Sequence, residues 1–252
     1  MATIGVELSK VVSNAEWLNA RKAFLAKEKE FTRRRDELSR LRRELPRVKV
    51  EKEYVFDTPD GKKTLAQLFD GRSQLVVYHF MFGPGWKEGC PGCSFFADHM
   101  DGANLHLAHH DVTLLAVSRG TLAELEAFKK RMGWRFNWVS SHGNDFNYDY
   151  DVSFTEDGLA KGGILYNYEM NEETRYHNEE LPGLSVFYKD EAGDIFHTYS
   201  TYARGLDVLL GTYHYLELTP LGRNESGANN DFTNWVRHHD KYEGVQEPRC
   251  CG

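Results

Sequence analysis

The sequence predicts an α/β protein whose core is a parallel sheet. Two apolar runs, residues 74–82 and 111–117, lack the alternation of half-exposed strands and are typical of strands buried on both faces. Each precedes a stretch with helical character, residues 94–100 and 121–132, and strands that alternate with helices form parallel sheets. The 252 residues are 40% hydrophobic and 27% charged, which suits one large folded domain and argues against global disorder.

The first predicted element is one long helix over residues 13–45. Ser13 and Glu16 have the spacing of a capping box at its start, and Pro46 ends it. Apolar residues recur along it at every seventh position: Trp17, Phe24, Phe31, Leu38 and Leu45. The companion heptad position holds alanine, lysine, arginine and leucine in turn, so the pattern is not that of a strict coiled coil.

This helix carries an excess of positive charge. Residues 1–50 contain 13 Lys and Arg against 7 Asp and Glu, a net +6, so the remainder of the −7 chain is −13. No aromatic residues are interleaved among the arginines to stack on bases, and we expect no nucleic-acid partner. We expect the helix to pack on the body of its own chain or on a second subunit of a homo-oligomer.

Residues 48–71 are predicted to form strands and turns. The run 48–56 alternates partly, residues 58–61 are a turn sequence, and residues 64–69 suit a short helix or a strand. Residues 141–181 are rich in Asn, Tyr, Gly and acidic residues without a clear period, and we interpret them as an insertion.

After the insertion, the pattern predicts a closing hairpin and helix. Residues 184–188 and 195–199 are the predicted antiparallel strands, and residues 205–216 the helix. Beyond Pro220 the chain is polar, and we expect it to be loosely held with Trp235 as an anchor. The organisation is therefore a helical extension (1–46), a main domain (47–220) and a tail (221–252).

Two cysteines, Cys90 and Cys93, lie between the first buried strand and its helix in the sequence Cys-Pro-Gly-Cys. Residues three apart on a first helical turn bring their Cβ atoms within roughly 5–6 Å, close to what a disulfide requires. Cys90 would begin the helix, where unpaired N–H groups and the helix dipole favour a thiolate. Because the thiolate is the form that attacks disulfides, the motif indicates a redox-active pair.

The order of elements resembles the thioredoxin-like fold in its peroxiredoxin-type variant, which has an extra N-terminal hairpin. More closely, the sequence resembles a mostly bacterial thioredoxin-like family carried as a domain of unknown function, family 899, whose members are described as predicted dithiol–disulfide oxidoreductases. The resemblance covers roughly residues 10–240. The segments that carry it are 82–86, 89–96, 128–140, 181–187, 196–205 and 215–223.

The chain departs from these relatives near the cysteines. Typical thioredoxins have Trp-Cys-Gly-Pro-Cys, whereas here Gly89 replaces the tryptophan and the intervening residues are exchanged, which leaves the redox potential open. Thioredoxins place a cis-proline facing the cysteines, and the resemblance assigns that position to Pro182. The peroxiredoxin motif would require Ser or Thr where this chain has Glu88, and Cys where it has Pro91, so we expect no standard peroxidatic site.

The same pair of cysteines is also half of a zinc site. The tail pair Cys250 and Cys251 could complete four thiolates, although adjacent cysteines seldom ligate one ion well; otherwise they are tail thiols or a thiol relay. The histidines of this region could supply nitrogen ligands: His79, His99, His106, His109 and His110. His106 and His110 have i, i+4 ligand spacing, but surface histidines near a helix C-terminus give the same pattern.

Other side chains near the pair have both a structural and a functional interpretation. His79, in the buried strand, is either a satisfied core residue or a proton-transfer group near Cys93. Lys87 and Glu88 could shift the pKa of the neighbouring thiol in opposite directions, or simply be solvated. Trp86 could shape a substrate surface or fill the loop.

The sequence therefore predicts a thiol–disulfide oxidoreductase in which Cys90 attacks, Cys93 resolves and Pro182 shapes the substrate-binding edge. The expected substrate is a protein or small-molecule disulfide or thiol, and an external thiol reductant recycles the pair. No dinucleotide- or phosphate-binding motif implies an organic cofactor. The alternatives are a thioredoxin-like copper- or zinc-binding protein or metallochaperone that uses the two cysteines with a histidine, and a non-catalytic scaffold. Without a signal peptide or membrane-length apolar run, we expect a cytoplasmic protein with no membrane partner.

Overall fold

The computed structural model describes residues 10–160, 163–171, 179–227 and 231–243. Within these residues, eight strands form the main sheet: β1 (Val48–Lys49), β2 (Val55–Thr58), β3 (Gly61–Thr64), β4 (Gln74–His79), β5 (Val112–Ser118), β6 (Asn137–Ser140), β9 (Gly183–Lys189) and β10 (Ile195–Tyr202). A separate hairpin consists of β7 (Ile164–Tyr166) and β8 (Glu169–Asn171). In space, the main strands follow the order β1-β10-β9-β4-β5-β6-β2-β3.

Helices pack on both faces of the main sheet. The helices of the described residues are α1 (Asn14–Arg43), α2 (Leu65–Leu68), α3 (Pro91–Ala97), α4 (Met100–Ala108), α5 (Leu122–Met132), α6 (Phe146–Asp149), α7 (Glu156–Ala160) and α8 (Gly211–Glu217). Short 3-10 helices span Ala203–Leu209, Phe232–Asn234 and His239–Lys241. Helix α5 ends at Gly133, whose φ of +66° favours glycine.

The parallel strands β4, β5 and β6 form the middle of the sheet, and β9 and β10 extend it in antiparallel fashion. The hairpin β2–β3 joins the other side, where Asp57 is paired with Ser140. The chain order is thus hairpin, buried strand, cysteine helix, strand, helix, then closing hairpin and helix. The fold is thioredoxin-like in its peroxiredoxin-type variant, as the sequence predicts.

Alternation along β4 divides the core into two layers. Tyr78 belongs to the layer formed with α3, α4, α5 and α8, which also contains Cys93. Leu75 and Val77 belong to the opposite layer, beneath α2 and α6. The sheet therefore separates the cysteine pair from the second core.

Two elements differ from the prediction. Strand β6 was not expected, because Asn137 and Ser140 at its ends leave only two apolar residues between them and no visible period. The predicted closing helix is divided, since Leu210 takes an extended conformation (φ −93°, ψ 90°) between the 3-10 helix and α8. The interpreted insertion at 141–181 contains α6, α7 and the β7–β8 hairpin.

Helix α1 begins at the predicted capping box: the Glu16 N–H donates to Ser13 Oγ, and the Ser13 N–H donates to Glu16 Oε2. None of its thirty residues is buried. Ring contacts with the body lie at and just beyond its C-terminal end, where Arg42 is 4.9 Å from the Tyr199 ring centroid and Arg47 is 4.2 Å from that of Phe196. Within the described residues, no helix combines the length and apolar character that a membrane crossing requires.

Candidate active site

The loop after β4 carries the cysteines to the start of α3. The loop leaves the sheet at Phe80, whose N–H donates to the carbonyl of Val117 (3.0 Å), and it returns at Cys90, whose N–H donates to the carbonyl of Met81 (3.3 Å). Cys90 is the N-cap residue of α3, and Pro91 follows in the first turn, where its missing N–H would have no helical partner. The fold therefore holds Cys90 at a helix N-terminus, as predicted.

The two sulfurs are free thiols that differ in exposure: Cys90 is partly exposed, whereas Cys93 is only 2% exposed. The Cys93 thiol donates a hydrogen bond to Cys90 Sγ, and the backbone N–H groups of Gly92 and Cys93 donate to the same sulfur. These donors, the Cys93 thiol foremost, lower the pKa of Cys90 to about 7. A large fraction of Cys90 is therefore thiolate at neutral pH.

The pKa of Cys93 is shifted the other way. Burial raises the pKa well above its usual range, and the hydrogen bond to Cys90 raises it further. Two groups oppose this shift: the Tyr78 hydroxyl, which is hydrogen-bonded to Cys93 Sγ, and the Met81 N–H, which donates to that sulfur over 3.4 Å. Tyr78 is itself buried, with its ring stacked on Phe96 at a centroid distance of 4.0 Å.

Residues 231–243, which we call the covering segment, pack over the start of α3. The ring of Phe232 lies so close to Gly92 that a Cβ built on this glycine would be 2.7 Å from the ring and 3.8 Å from Cys90 Sγ. Glycine at this position thus allows an aromatic ring to approach the partly exposed sulfur.

Polar contacts fix the covering segment to the loop before the cysteines. His238, 4% exposed, donates from Nε2 to the carbonyl of Gly89 over 2.8 Å. Glu88 accepts from Lys241 of the segment (2.8 Å) and from Arg131 of α5 (2.5 Å). These hydrogen bonds, that from Lys241 first, lower the pKa of the Glu88 carboxyl. The charge of Glu88 is therefore neutralised by its own partners.

The expectation of a loosely held tail beyond Pro220 is wrong for the covering segment. Trp235 is an anchor as expected, with its ring 5.5 Å from that of Phe95, and Val236 is 3% exposed. The available signal was the i, i+3, i+4 spacing of Phe232, Trp235 and Val236, which sequence reasoning missed within polar surroundings.

Comparison with known families identifies the chain. Residues 6–242 match the family described as a bacterial protein of unknown function, DUF899. The chain belongs to the DUF899 family. A comparison with curated protein sequences gave no match.

Among solved structures, the DUF899 chain is similar to a cysteine-to-serine mutant of Xylella fastidiosa PrxQ, with 15% identity over 64% of this chain and 88% of that one, at a TM-score of 0.42. It is also similar to peroxidoxin BcpB from Mycobacterium tuberculosis, with 12% identity over 68% of this chain and 97% of that one, at a TM-score of 0.43.

In this DUF899 protein, His79 lies on the face of the sheet opposite the cysteines. Its ring centroid is 5.6 Å from that of Phe146 and 5.9 Å from that of Tyr150. Its Nε2 shares a 2.9 Å hydrogen bond with Ser185 Oγ, and burial lowers its pKa to about 3. His79 is therefore a core residue and not a proton-transfer group near Cys93.

Pro182 immediately precedes β9, which is the neighbour of β4 in the sheet. The peptide bonds of the described residues are all trans, so the cis-proline expected from the resemblance is wrong. Contacts from the insertion set the backbone path here: the Leu181 N–H donates to the carbonyl of Val152 (2.9 Å), and the Tyr166 hydroxyl donates to that of Pro182 (2.7 Å).

The other predicted metal ligands do not gather around the pair. His99 Nε2 is 2.9 Å from Thr212 Oγ1. The histidines of α4 and the turn after it are exposed: His106, His109 and His110. Among the residues that the structure describes, no group of three or more His, Cys, Asp or Glu could hold a metal ion. Cys250 and Cys251 lie outside the described residues.

Trp86 and Lys87 match their structural interpretations. Trp86 is partly buried, its ring centroid 6.4 Å from that of Phe82 and its Nε1 2.9 Å from where Gly83 would carry a Cβ. It fills the loop. Lys87 is exposed to solvent.

Proposed function

We propose that the protein is a thiol–disulfide oxidoreductase that uses Cys90 as nucleophile and Cys93 as resolving thiol. The proposal rests on the asymmetry of the pair: Cys90 has a partly exposed sulfur with a pKa of about 7, and Cys93 is a buried thiol whose pKa is raised. An attacking thiol works best when its pKa lies near ambient pH. The second thiol is protected from substrates until it is needed.

In the first step, the Cys90 thiolate attacks one sulfur of a substrate disulfide. A bond forms between Cys90 Sγ and that sulfur, the substrate S–S bond breaks, and the other substrate sulfur leaves as a thiolate that takes a proton from solvent. The product is a mixed disulfide. We assign the border of the substrate site to Pro182, because it opens β9 beside the strand from which the cysteine loop departs.

In the second step, Cys93 attacks Cys90 Sγ. Cys90 no longer carries charge in the mixed disulfide, so one cause of the raised Cys93 pKa is gone. Cys93 releases its proton to solvent, and its thiolate is held by the Tyr78 hydroxyl and the Met81 N–H. The Cys90–Cys93 bond forms, the mixed disulfide breaks and the substrate leaves as a thiol. The pair has given two electrons, which an external thiol reductant returns.

The metal-binding alternative requires a third ligand beside the two sulfurs. His238 is the histidine that contacts the cysteine loop, and its Nε2 is engaged with the Gly89 carbonyl. The engaged Nε2 disfavours His238 as this third ligand, and the site supports the oxidoreductase best.

Trapping the mixed disulfide tests this proposal. All variants carry Cys250→Ser and Cys251→Ser, so that tail thiols do not react. In that background, Cys93→Ser should accumulate Cys90 adducts in oxidised lysate, visible by mass spectrometry under non-reducing conditions. The matched control, with Cys90→Ser added, should give none. Equal trapping by both variants, or by neither, would contradict the mechanism; adducts would identify the substrate and show whether it is a protein or a small molecule.

A further inference from the structure

Helix α1 exposes an apolar stripe that no described part of the chain covers. Eight large side chains along it and just beyond its C-terminal end are between 39% and 66% exposed: Trp17, Leu18, Phe24, Leu25, Phe31, Leu38, Leu41 and Leu45. The body of the chain therefore does not bury these side chains. This body is one of the two partners expected for α1, and it leaves this face uncovered. An isolated helix with such a stripe needs a partner.

We propose that this partner is the α1 stripe of a second copy of the chain, in an antiparallel pair of helices that cross at Phe31. This dimer is independent of the dithiol chemistry. The area is sufficient: aromatic side chains bury about 150–250 Å² each, so eight half-exposed apolar side chains offer on the order of 800 Å². That is what each partner of a standard interface contributes.

The residue sizes along the stripe favour the antiparallel arrangement. All of its aromatic residues lie in the N-terminal half or at Phe31, whereas the C-terminal half of the stripe contains leucines alone. A two-fold axis at Phe31 places Trp17 level with Leu45 and Phe24 level with Leu38, so that large residues face smaller ones. A parallel pair would instead place like residues at the same level throughout. The same patch serves both copies, as a two-fold interface requires.

Charge favours the same arrangement. Residues 14–28 contain 3 basic and 2 acidic residues, a net +1, whereas residues 29–43 contain 7 and 3, a net +4. A parallel pair would oppose the two +4 halves, while the antiparallel pair opposes +4 with +1 and brings Glu28 level with Arg34. The helix dipoles also run in opposite directions in this arrangement.

The position of the body is compatible with this pairing. Thirty helical residues span about 45 Å. The contacts with Tyr199 and Phe196 place the body at the C-terminal end of α1, so antiparallel helices carry their two bodies at opposite ends.

Sedimentation equilibrium of the full chain with Phe31→Glu tests the interface. The wild-type chain should be a dimer, and Phe31→Glu should raise the dissociation constant by about thirtyfold or more, because it places two carboxylates at the crossing. Ala26→Glu is the matched control, since it adds the same charge about 140° around the helix. Circular dichroism confirms that both variants keep their helix content. A monomeric wild type, or equal effects of the two variants, would overturn the proposal.

Disulfide cross-linking tests the direction of the helices in a chain whose four native cysteines are serines. An equimolar mixture of Phe24→Cys and Leu38→Cys chains should cross-link as the heterodimer. Cross-linking of Phe24→Cys with itself, without the heterodimer, would mean a parallel pair and overturn the antiparallel assignment.

Discussion

Adjacent residues of β4 place one buried titratable side chain on each face of the sheet. On one face, Tyr78 is hydrogen-bonded to Cys93, beneath a helix whose N-cap is a second cysteine. On the other face, His79 is enclosed by aromatic rings and shares a hydrogen bond with Ser185. The histidine is the residue type more often used in proton transfer, yet here it has a core environment.

The difference shows that burial alone does not mark a functional group. Burial raises the pKa of Tyr78 and lowers the pKa of His79, so both side chains stay neutral. What separates them is the partner: a reactive sulfur near solvent on one face, and a serine hydroxyl within the core on the other. Changes on the cysteine face should therefore alter chemistry, and changes on the histidine face should alter stability.

The largest effect is expected from Cys90→Ser, which removes the nucleophile. In an assay with a dithiol reductant, the rate at which a small disulfide is reduced should fall to the rate measured without protein. Ser185→Ala on the histidine face should retain activity. It should lower the free energy of unfolding by about 1–3 kcal/mol, because the buried His79 Nε2 loses its hydrogen-bond partner. Activity retained by Cys90→Ser would show that Cys90 is not the nucleophile.

Tyr78→Phe should slow the resolving step about tenfold. The hydroxyl donates to the Cys93 thiolate, and a hydrogen bond to a charged group contributes about 1.5 kcal/mol or more. The decay of a preformed Cys90 mixed disulfide measures this step. Tyr150→Phe removes a buried tyrosine hydroxyl on the histidine face and should leave that rate unchanged; equal slowing in both would point to a general packing effect.

His79→Gln should flatten the acid side of the stability profile. The folded-state pKa of His79 is lowered to about 3, so its contribution is fully present above the ordinary value near 6.5 and is lost as pH falls towards 3. Between pH 6.5 and 5, wild-type protein should lose about 1.6 kcal/mol more unfolding free energy than the variant. Denaturant unfolding at both pH values gives this difference, and parallel pH profiles would mean that His79 can protonate in the fold.

The smallest effect is expected at the covering segment. Phe232→Ala removes the ring next to Gly92 and should raise the rate of Cys90 alkylation by a small factor at constant pH. Thr233→Ala, at the next and exposed position, is the control and should leave the rate unchanged. An unchanged rate in Phe232→Ala would show that the ring does not limit access to the sulfur.

Patterns between residues close in sequence predict most of the fold and the position of the cysteines. The capping box fixed the start of α1, and the unbroken apolar run located β4, so the cysteines could be placed between strand and helix. The covering segment was not predicted, because its position depends on contacts between residues far apart in sequence, such as His238 with Gly89. Tyr78 was not predicted as a partner of Cys93 for a different reason. Its neighbour His79 has the more conspicuous chemistry, and the alternation of β4 decides which of the two side chains faces the sulfur.

The proposed mechanism requires that Cys90 and Cys93 ionise at widely different pH. Alkylation with iodoacetamide across a pH series, followed by peptide mapping, measures each thiol separately. Cys90 should be modified first, with half of its maximal rate at about pH 7, while Cys93 stays unmodified until far higher pH. Faster modification of Cys93, or equal rates with both thiols titrating at their ordinary value near 8.5, would contradict the assignment of nucleophile and resolving thiol.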